Sequence, residues 1–484
     1  MIRSRLMARN VILSLGTQLL SWVLAFAVTL YLPRYVGAAG LGKLSFAASF
    51  VAVFGVIVPL GTSTVLVKEI ARDRGRTGEL LLAAAALRVP MGLMMTALAI
   101  VGVYALGYPA LTRTLVMVTA VGMVLGTLND ALGAALQGQE KIGRQNAAVI
   151  IQKFLGSALT IALILYRAPL WAIAAVGFFA GVIALAMNLT GFKDLLSTLR
   201  WPSAFAVRSL AIAGLPFMGW TVFQTLYGQT DPIVLSLVTN DAAVGWYAAA
   251  ARLVGAALFI PTAIVPALLP PLARLFHDDL PGFKRLADRA LSLCLFCAVP
   301  IAAVLIILPG RLIAMMHYPS EFAQAIPVLR VGGAAALLYF AASPLGAAVI
   351  AADGQSKMLR TAIAATLIGI PACFIGSYLA QRFWGNGAVG AGLSDTLLEM
   401  YLIRSYLQMA PVGTFTSQTV SFIGRYLLAA APMSLVMFVA SRSGSGLWIL
   451  APCGISYVLI CWALRCIGWS DIRLVKAALT RTAE

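Results

Sequence analysis

Charge is scarce in this chain: 11% of its 484 residues are Asp, Glu, Lys or Arg, less than half of the roughly 25% usual in soluble domains. A water-soluble fold of this length is thereby excluded. Histidine is scarcer still, with His277 and His317 alone, one in a loop read as cytoplasmic and one near a turn on the opposite side. The loops on that opposite side are short. An integral-membrane polymerase or glycan ligase needs acid, base or nucleophile groups in a sizeable extramembrane loop, and the chain does not supply them, so no enzyme is expected. Six cysteines fall nearly all in apolar segments and fix no redox compartment. Cys294-Leu295-Phe296-Cys297 has CxxC spacing but lies inside a lipid-spanning run with no other ligand nearby, so it reads as packing. No metal and no cofactor are expected.

What the chain has in abundance is apolar length. Hydrophobic residues make up 61% of it, the mean hydropathy is +0.93, and spanning a bilayer takes about 20 apolar residues. Fourteen stretches qualify, at 11–32, 44–67, 79–107, 114–137, 147–166, 170–192, 209–238, 243–270, 290–308, 325–350, 361–381, 387–410, 423–441 and 446–465. Arg3, Arg5 and Arg9 before the first run resemble the start of a secretory signal. The run is too long for one, however, and Pro33-Arg34-Tyr35 offers no small-residue cleavage pattern. It is read as the first helix.

A net charge of +18 would ordinarily raise nucleic acid as a partner. Its distribution says otherwise. Of the 35 Lys and Arg, 24 lie in the N-terminal tail and every second loop, seven in the opposite loops and four within spans. This is the bias of the positive-inside rule, so both termini are expected in the cytoplasm of a multi-pass inner-membrane protein, with no nucleic-acid partner.

An internal repeat is visible. Gly138-Gln139-Glu140-Lys141-Ile142-Gly143-Arg144 and Gly354-Gln355-Ser356-Lys357-Met358-Leu359-Arg360 share G-Q-x-K-x-x-R, Ile70-Ala71-Arg72 echoes Leu272-Ala273-Arg274, and Gly42-Lys43-Leu44 echoes Gly245-Trp246-Tyr247, all in chain order. The expected architecture is an all-α polytopic membrane protein of about 14 transmembrane helices, with two pseudo-symmetric six-helix bundles and two C-terminal helices around a central cavity. The boundaries follow: 1–192 for the first bundle, 193–208 for a cytoplasmic interfacial linker, 209–410 for the second bundle, and 411–484 for two further helices and a tail. The mixed basic and apolar residues of the linker and of 472–479 suit the membrane surface.

Eight charges remain inside spans: Arg88, Lys153, Arg252 and Arg330, with Asp130, Asp231, Asp395 and Glu399. Each costs about 2.5 to 3.5 kcal/mol at a helix centre, so each calls for a function or a partner. Asp130 and Lys153 lie at equal distances from the loop at Glu140-Lys141, which suits a structural ion pair. Small residues follow the others at i+3 and i+4, as in Gly255 and Ala256 or Gly333 and Ala334, so Arg88, Arg252 and Arg330 are expected to face inward as substrate-binding cations. Snorkelling is the alternative for Arg330, which is near a helix end. Asp395 and Glu399 share a helix face and cannot both stay ionised cheaply. Ion coupling, with Asp231 as a further candidate, or pairing with an Arg of another helix would each explain them. Inward cations suit a phosphate-bearing substrate gripped bidentately, and Gln18, Gln224, Tyr227 and Gln229 could meet sugar hydroxyls.

The stretch Pro33-Arg34-Tyr35-Val36-Gly37 through Gly42-Lys43-Leu44-Ser45-Phe46 resembles the polysaccharide-transporter and O-antigen flippase branch of the multidrug/oligosaccharidyl-lipid/polysaccharide exporter superfamily. Lys68-Glu69-Ile70-Ala71-Arg72, Gly138-Gln139-Glu140-Lys141 and Asp231-Pro232-Ile233-Val234-Leu235 resemble the same branch in the same order. The resemblance implies a flippase that moves a polyprenyl-diphosphate-linked oligosaccharide across the bacterial inner membrane by alternating access, for exopolysaccharide, capsule or O-antigen assembly. It implies membrane lipid and the lipid-linked substrate as partners, a polymerase and chain-length machinery acting with it, and a monomer. Cavity arginines against the diphosphate would by position fall to Arg34, Arg88 and Arg252, with Arg34 inside the matching motif. A drug or organic-cation exporter of the superfamily is the alternative, though its cavity would favour acids over arginines.

Overall fold

The computed structural model describes residues 2–192, 201–411, 413–415, 417–442, 447–464 and 466, with side chains from Leu20 onward apart from a few isolated positions. The parts of the expected linker at 193–200 and of the tail at 467–484 lie outside the described residues, as does the side chain of Gln18. Among the described residues the chain forms sixteen α-helices and short 3-10 turns, with no strand. That is what a lipid solvent demands of any open-ended segment, because helices satisfy their backbone groups internally.

Ten of the described helices are by themselves long and apolar enough to span, and a bent pair adds an eleventh. Helix α1 (Ile2–Gly55) holds two of the expected segments, broken at Gly37, whose backbone lies at φ 68° and ψ −179°. Only glycine enters that region without strain, so one helical stretch encodes a span, a turn and the next span. The second segment is itself interrupted between α1 and α2 (Thr62–Arg72), where Leu60 and Gly61 both take positive φ. Next come α3 (Thr77–Ala105), α4 (Ala110–Gly138), α5 (Ile142–Leu165) and α6 (Leu170–Leu189).

Helix α7 (Ala204–Val238) bends by 49° near Gly219. Pro216, just before the bend, removes one N–H and crowds the preceding turn. The expected eighth segment is two helices, α8 (Asp241–Ala257) and α9 (Phe259–Asp278), the latter carrying Pro266, Pro270 and Pro271. Then follow α10 (Leu280–Ile307), the short α11 (Pro309–Met315), α12 (Ala325–Ala351), α13 (Gln355–Trp384), α14 (Gly387–Met409), α15 (Ser417–Arg442) and α16 (Leu450–Ala463). With 23 residues α14 is long enough to span, but Asp395, Glu399 and Arg404 make it too polar to read as an ordinary lipid-facing helix.

Two compact units divide the chain, residues 1–245 and 246–484. In the first, Phe46 stacks on Tyr108 with ring centroids 4.5 Å apart, at the head of a core with Phe50, Ala99, Val103 and Leu115. A second core joins Leu66 and Ile70 of α2 to Leu80 of α3, Leu136 of α4 and Leu210 of α7. In the second unit α15 and α16 pack on α10: Phe296 stacks on Tyr457 at 5.5 Å, and the Tyr457 hydroxyl donates to the Phe296 carbonyl at 3.1 Å.

The repeat seen in the sequence has a structural counterpart inside each unit. Helix α4 ends with Glu140 in left-handed backbone and a bond from Lys141 N to Leu136 O at 2.8 Å. Helix α12 ends with Asp353 in the same conformation and a bond from Gly354 N to Val349 O at 2.9 Å. Both are Schellman-type stops built on an acid instead of the usual glycine. Each acid then meets a side chain from an earlier part of its own unit: Arg74 pairs with Glu140 at 2.8 Å, and His277 Nε2, in the last turn of α9, lies 3.6 Å from the Asp353 carboxylate.

Candidate functional site: a polar cleft in the first unit

Four helices of the first unit bring amide, hydroxyl and charged side chains to one cleft of about 590 Å3. Helix α2 supplies Ser63, Thr64 and Lys68; α4 supplies Asn129, Asp130 and Gln137; α5 supplies Gln145 and Gln152; α6 supplies Asn188. The cleft lies toward the end of the unit that carries the loops 73–76 and 139–141. Its walls are Val67, Ala134, Ala148, Val149 and Ala184, which are small side chains that leave the polar tips room. At Gly133 the backbone approach is close, since a Cβ there would lie 3.3 Å from Gln145 Nε2. A larger residue would push the amide out of place.

Arg88 of α3 stands behind this cleft and is fully buried, with 0% of its surface exposed. Its guanidinium is held by a fork of three acceptors. Nη1 donates to the Thr127 carbonyl at 2.6 Å, and Nη2 donates to Thr62 Oγ1 and Ser63 Oγ, each at 2.9 Å. The Asp130 carboxylate, on the cleft wall, is the charge that acts on it. A buried cation is tolerated best when its donors are used and a counter-charge is near; here both Nη atoms are satisfied and Asp130 is the counter-charge, while Nε has no hydrogen-bond partner among the described residues. Arg88 therefore reaches the cleft through Ser63 and not directly.

Two amides form a chain beside it. Asn129 donates to the Gly181 carbonyl at 2.9 Å, and Asn188 donates to Asn129 Oδ1 at 3.3 Å. Both are buried, and Asn188 Oδ1 has no hydrogen-bond partner among the described residues. Neither asparagine stood out in the sequence. The signal was there, since a carboxamide inside a span has the same need of a partner as a charge, only weaker.

The other expected site residues are placed separately. Arg34 lies half-buried on α1, 5.4 Å from the Tyr31 ring centroid. Arg252 is on α8 in the second unit, where Tyr318 acts on it electrostatically, and Arg330 is exposed near the start of α12. Asp231 is buried on α7. Asp395 accepts a bond from the Tyr247 hydroxyl at 3.0 Å, and Glu399, buried one turn on, has Tyr339 and Tyr406 as electrostatic neighbours. The expected Asp130–Lys153 ion pair is not formed. Lys153 is exposed, whereas Gln152 lines the cleft. Equal depth in a hairpin does not fix the face, and one residue along a helix turns a side chain by about 100°. Of the residues proposed to meet sugar, Gln229 instead accepts from Ser49 Oγ at 2.8 Å, a helix-packing bond, and Gln224 is exposed.

Among the described residues no group of three or more His, Cys, Asp or Glu side chains could hold a metal. Cys294 and Cys297 pack in the core of the second unit beside Ala298 and Phe340.

A family described as "Polysaccharide biosynthesis protein" matches residues 7–276. A Shigella flexneri protein provisionally named an O-antigen transporter is 24% identical over 322 residues, 60% of this chain and 69% of that protein. The lipid II flippase MurJ in an inward closed conformation superposes with a TM-score of 0.74 at 15% identity, covering 94% of this chain and 98% of that one. An inward-facing multidrug resistance MATE family transporter of the MOP superfamily gives 0.65 at 14% identity, covering 80% and 94%. At these identities the likeness shows the fold alone, an all-helical multi-span membrane fold of the class the sequence led us to expect. The chain belongs to the polysaccharide biosynthesis protein family.

Proposed function

We propose that this protein is a flippase that translocates a polyprenyl-diphosphate-linked oligosaccharide across the bacterial inner membrane by alternating access, for exopolysaccharide, capsule or O-antigen assembly. The observation that carries this reading is the polar cleft of the first unit, set among helices whose outer residues suit lipid. A substrate with a lipid tail and a hydroxyl-rich head needs both surroundings at once. Family membership supports the same class of cargo.

The arginines divide the work. Arg34, Arg252 and Arg330 are the cations we assign to phosphate oxygens, because a guanidinium fork matches them bidentately. Arg88 acts as a fixed positive pole behind Ser63. Asp231, Asp395 and Glu399 are assigned to ion coupling, with Tyr247 holding the Asp395 carboxylate. Both termini are placed in the cytoplasm, the protein acts as a monomer, and a polymerase with its chain-length machinery consumes the product.

The test is depletion in the host. Cells that lose the chain should accumulate the lipid-linked oligosaccharide where a periplasmic lectin cannot reach it, and expression of the wild-type chain should restore lectin access. Unchanged access after depletion would overturn the reading. Export of an organic cation is the second reading, favoured by the carboxylate of Asp130 on the cleft wall. Dye efflux from intact cells that tracks expression of the chain, with glycan export unaffected, would support it instead.

A further inference from the structure

We infer that the cleft of the first unit is a saccharide subsite, which takes one or two sugar rings of the lipid-linked glycan; this rests on the flippase reading above. The donor set points to this class of ligand. Five carboxamides face the cleft, from Asn129, Gln137, Gln145, Gln152 and Asn188. A carboxamide both donates and accepts, as does every sugar hydroxyl. A volume of about 590 Å3 falls within the roughly 300 to 1,000 Å3 of small-molecule sites.

Charge argues against the other ligands. A cation would meet one carboxylate, Asp130, opposed by the Lys68 ammonium on the wall and by Arg88 behind it. A diphosphate would meet Lys68 alone, because the Nη atoms of Arg88 are committed to Thr127, Thr62 and Ser63. What remains is a neutral, hydroxyl-bearing ligand.

The site is also built before the ligand arrives. Arg88 donates to Ser63 Oγ, so the serine's own proton is free to be donated elsewhere. Asn188, 5% exposed, lines the cleft and is held by its bond to Asn129, and its buried Oδ1, at the edge of the cleft, has no hydrogen-bond partner among the described residues. An unmet buried acceptor costs free energy that a ligand hydroxyl would recover. Val67 and Ala184 give apolar surface for the C–H face of a ring.

The test uses full-length protein in proteoliposomes containing either the lipid-linked oligosaccharide extracted from the host or undecaprenyl diphosphate stripped of its glycan. Gln145→Ala, Gln152→Ala and Asn188→Ala are compared with wild type by the ratio of the two translocation rates. Loss of a sugar contact should lower the preference for the glycan-bearing lipid by about tenfold per substitution. Substitutions that slow both lipids equally, or neither, would overturn the subsite and leave the flippase reading standing. A wild-type protein that moves neither lipid would overturn both. Only variants whose melting temperature in detergent matches that of wild type are scored, so that equal slowing of both lipids reads on the subsite and not on unfolding.

Discussion

Arg88 shows how a single side chain can belong to the architecture and to the site together. Its three bonds join α3 to α2 and α4, and the hydroxyl it grips is on the cleft wall. Arg88→Met would leave the Thr127 carbonyl and two hydroxyls without their donor in a buried place, at a cost on the order of 3 kcal/mol. We expect a lower melting temperature in detergent and a poor yield of folded protein. Arg88→Lys should rescue little, since one ammonium cannot span the three acceptors. Equal thermal stability of Arg88→Met and wild type would remove the structural half of this account. Arg252→Ala should behave differently, staying folded in the membrane while glycan export stops, and unchanged export would take that residue out of the mechanism. The sequence reveals Arg88 through the expense of a charge in a span, but not its partners, because Thr62, Ser63 and the Thr127 carbonyl carry no signature of their own. It reveals Asp130 and Lys153 equally well, yet hairpin depth alone pairs them wrongly for want of the helix face.

At the scale of helices, backbone approach is the controlling feature of the first unit. A Cβ on Gly42 would lie 1.8 Å from the Asp241 carbonyl oxygen, and one on Gly245 would lie 1.9 Å from that of Ala38. Beside them Lys43 pairs with Asp241 at 3.4 Å. Gly61, in the break before α2, and Gly214 of α7 make a second such contact: a Cβ on Gly61 would lie 2.2 Å from the Gly214 carbonyl oxygen, and one on Gly214 would lie 2.1 Å from that of Leu60. Gly42→Val or Gly214→Val must therefore separate the helices, since backbone cannot move aside as a side chain can. We expect both variants to lose thermal stability and transport together, whereas Lys43→Ala, which removes only a partly exposed pair, should change stability by less than about 1 kcal/mol. Wild-type melting behaviour in Gly214→Val would contradict the close packing. The spans themselves are legible from apolar length, and so is the repeat. Their breaks are less so. Gly37 and Gly61 are two of 43 glycines, and only tertiary contact decides which of them take positive φ.

For the whole molecule, alternation of basic and nearly charge-free loops predicts the placement of both termini. A fluorescent protein fused to the C-terminus should glow, as it does in the cytoplasm, and alkaline phosphatase fused there should be inactive; the reverse pattern would overturn the assigned orientation. Membrane residence and the all-helical class are legible in composition alone, because 61% hydrophobic residues admit no other solvent. The cleft is not, since it is assembled from α2, α4, α5 and α6, each of which contributes polar residues that look incidental on their own helix. The most direct measurement is translocation by the purified chain in sealed proteoliposomes holding the host's lipid-linked oligosaccharide in both leaflets, read by an added lectin or glycosidase. The inner-leaflet pool should become accessible only when the chain is present, and should stay protected with Arg252→Ala. Protection of that pool regardless of the chain would contradict it.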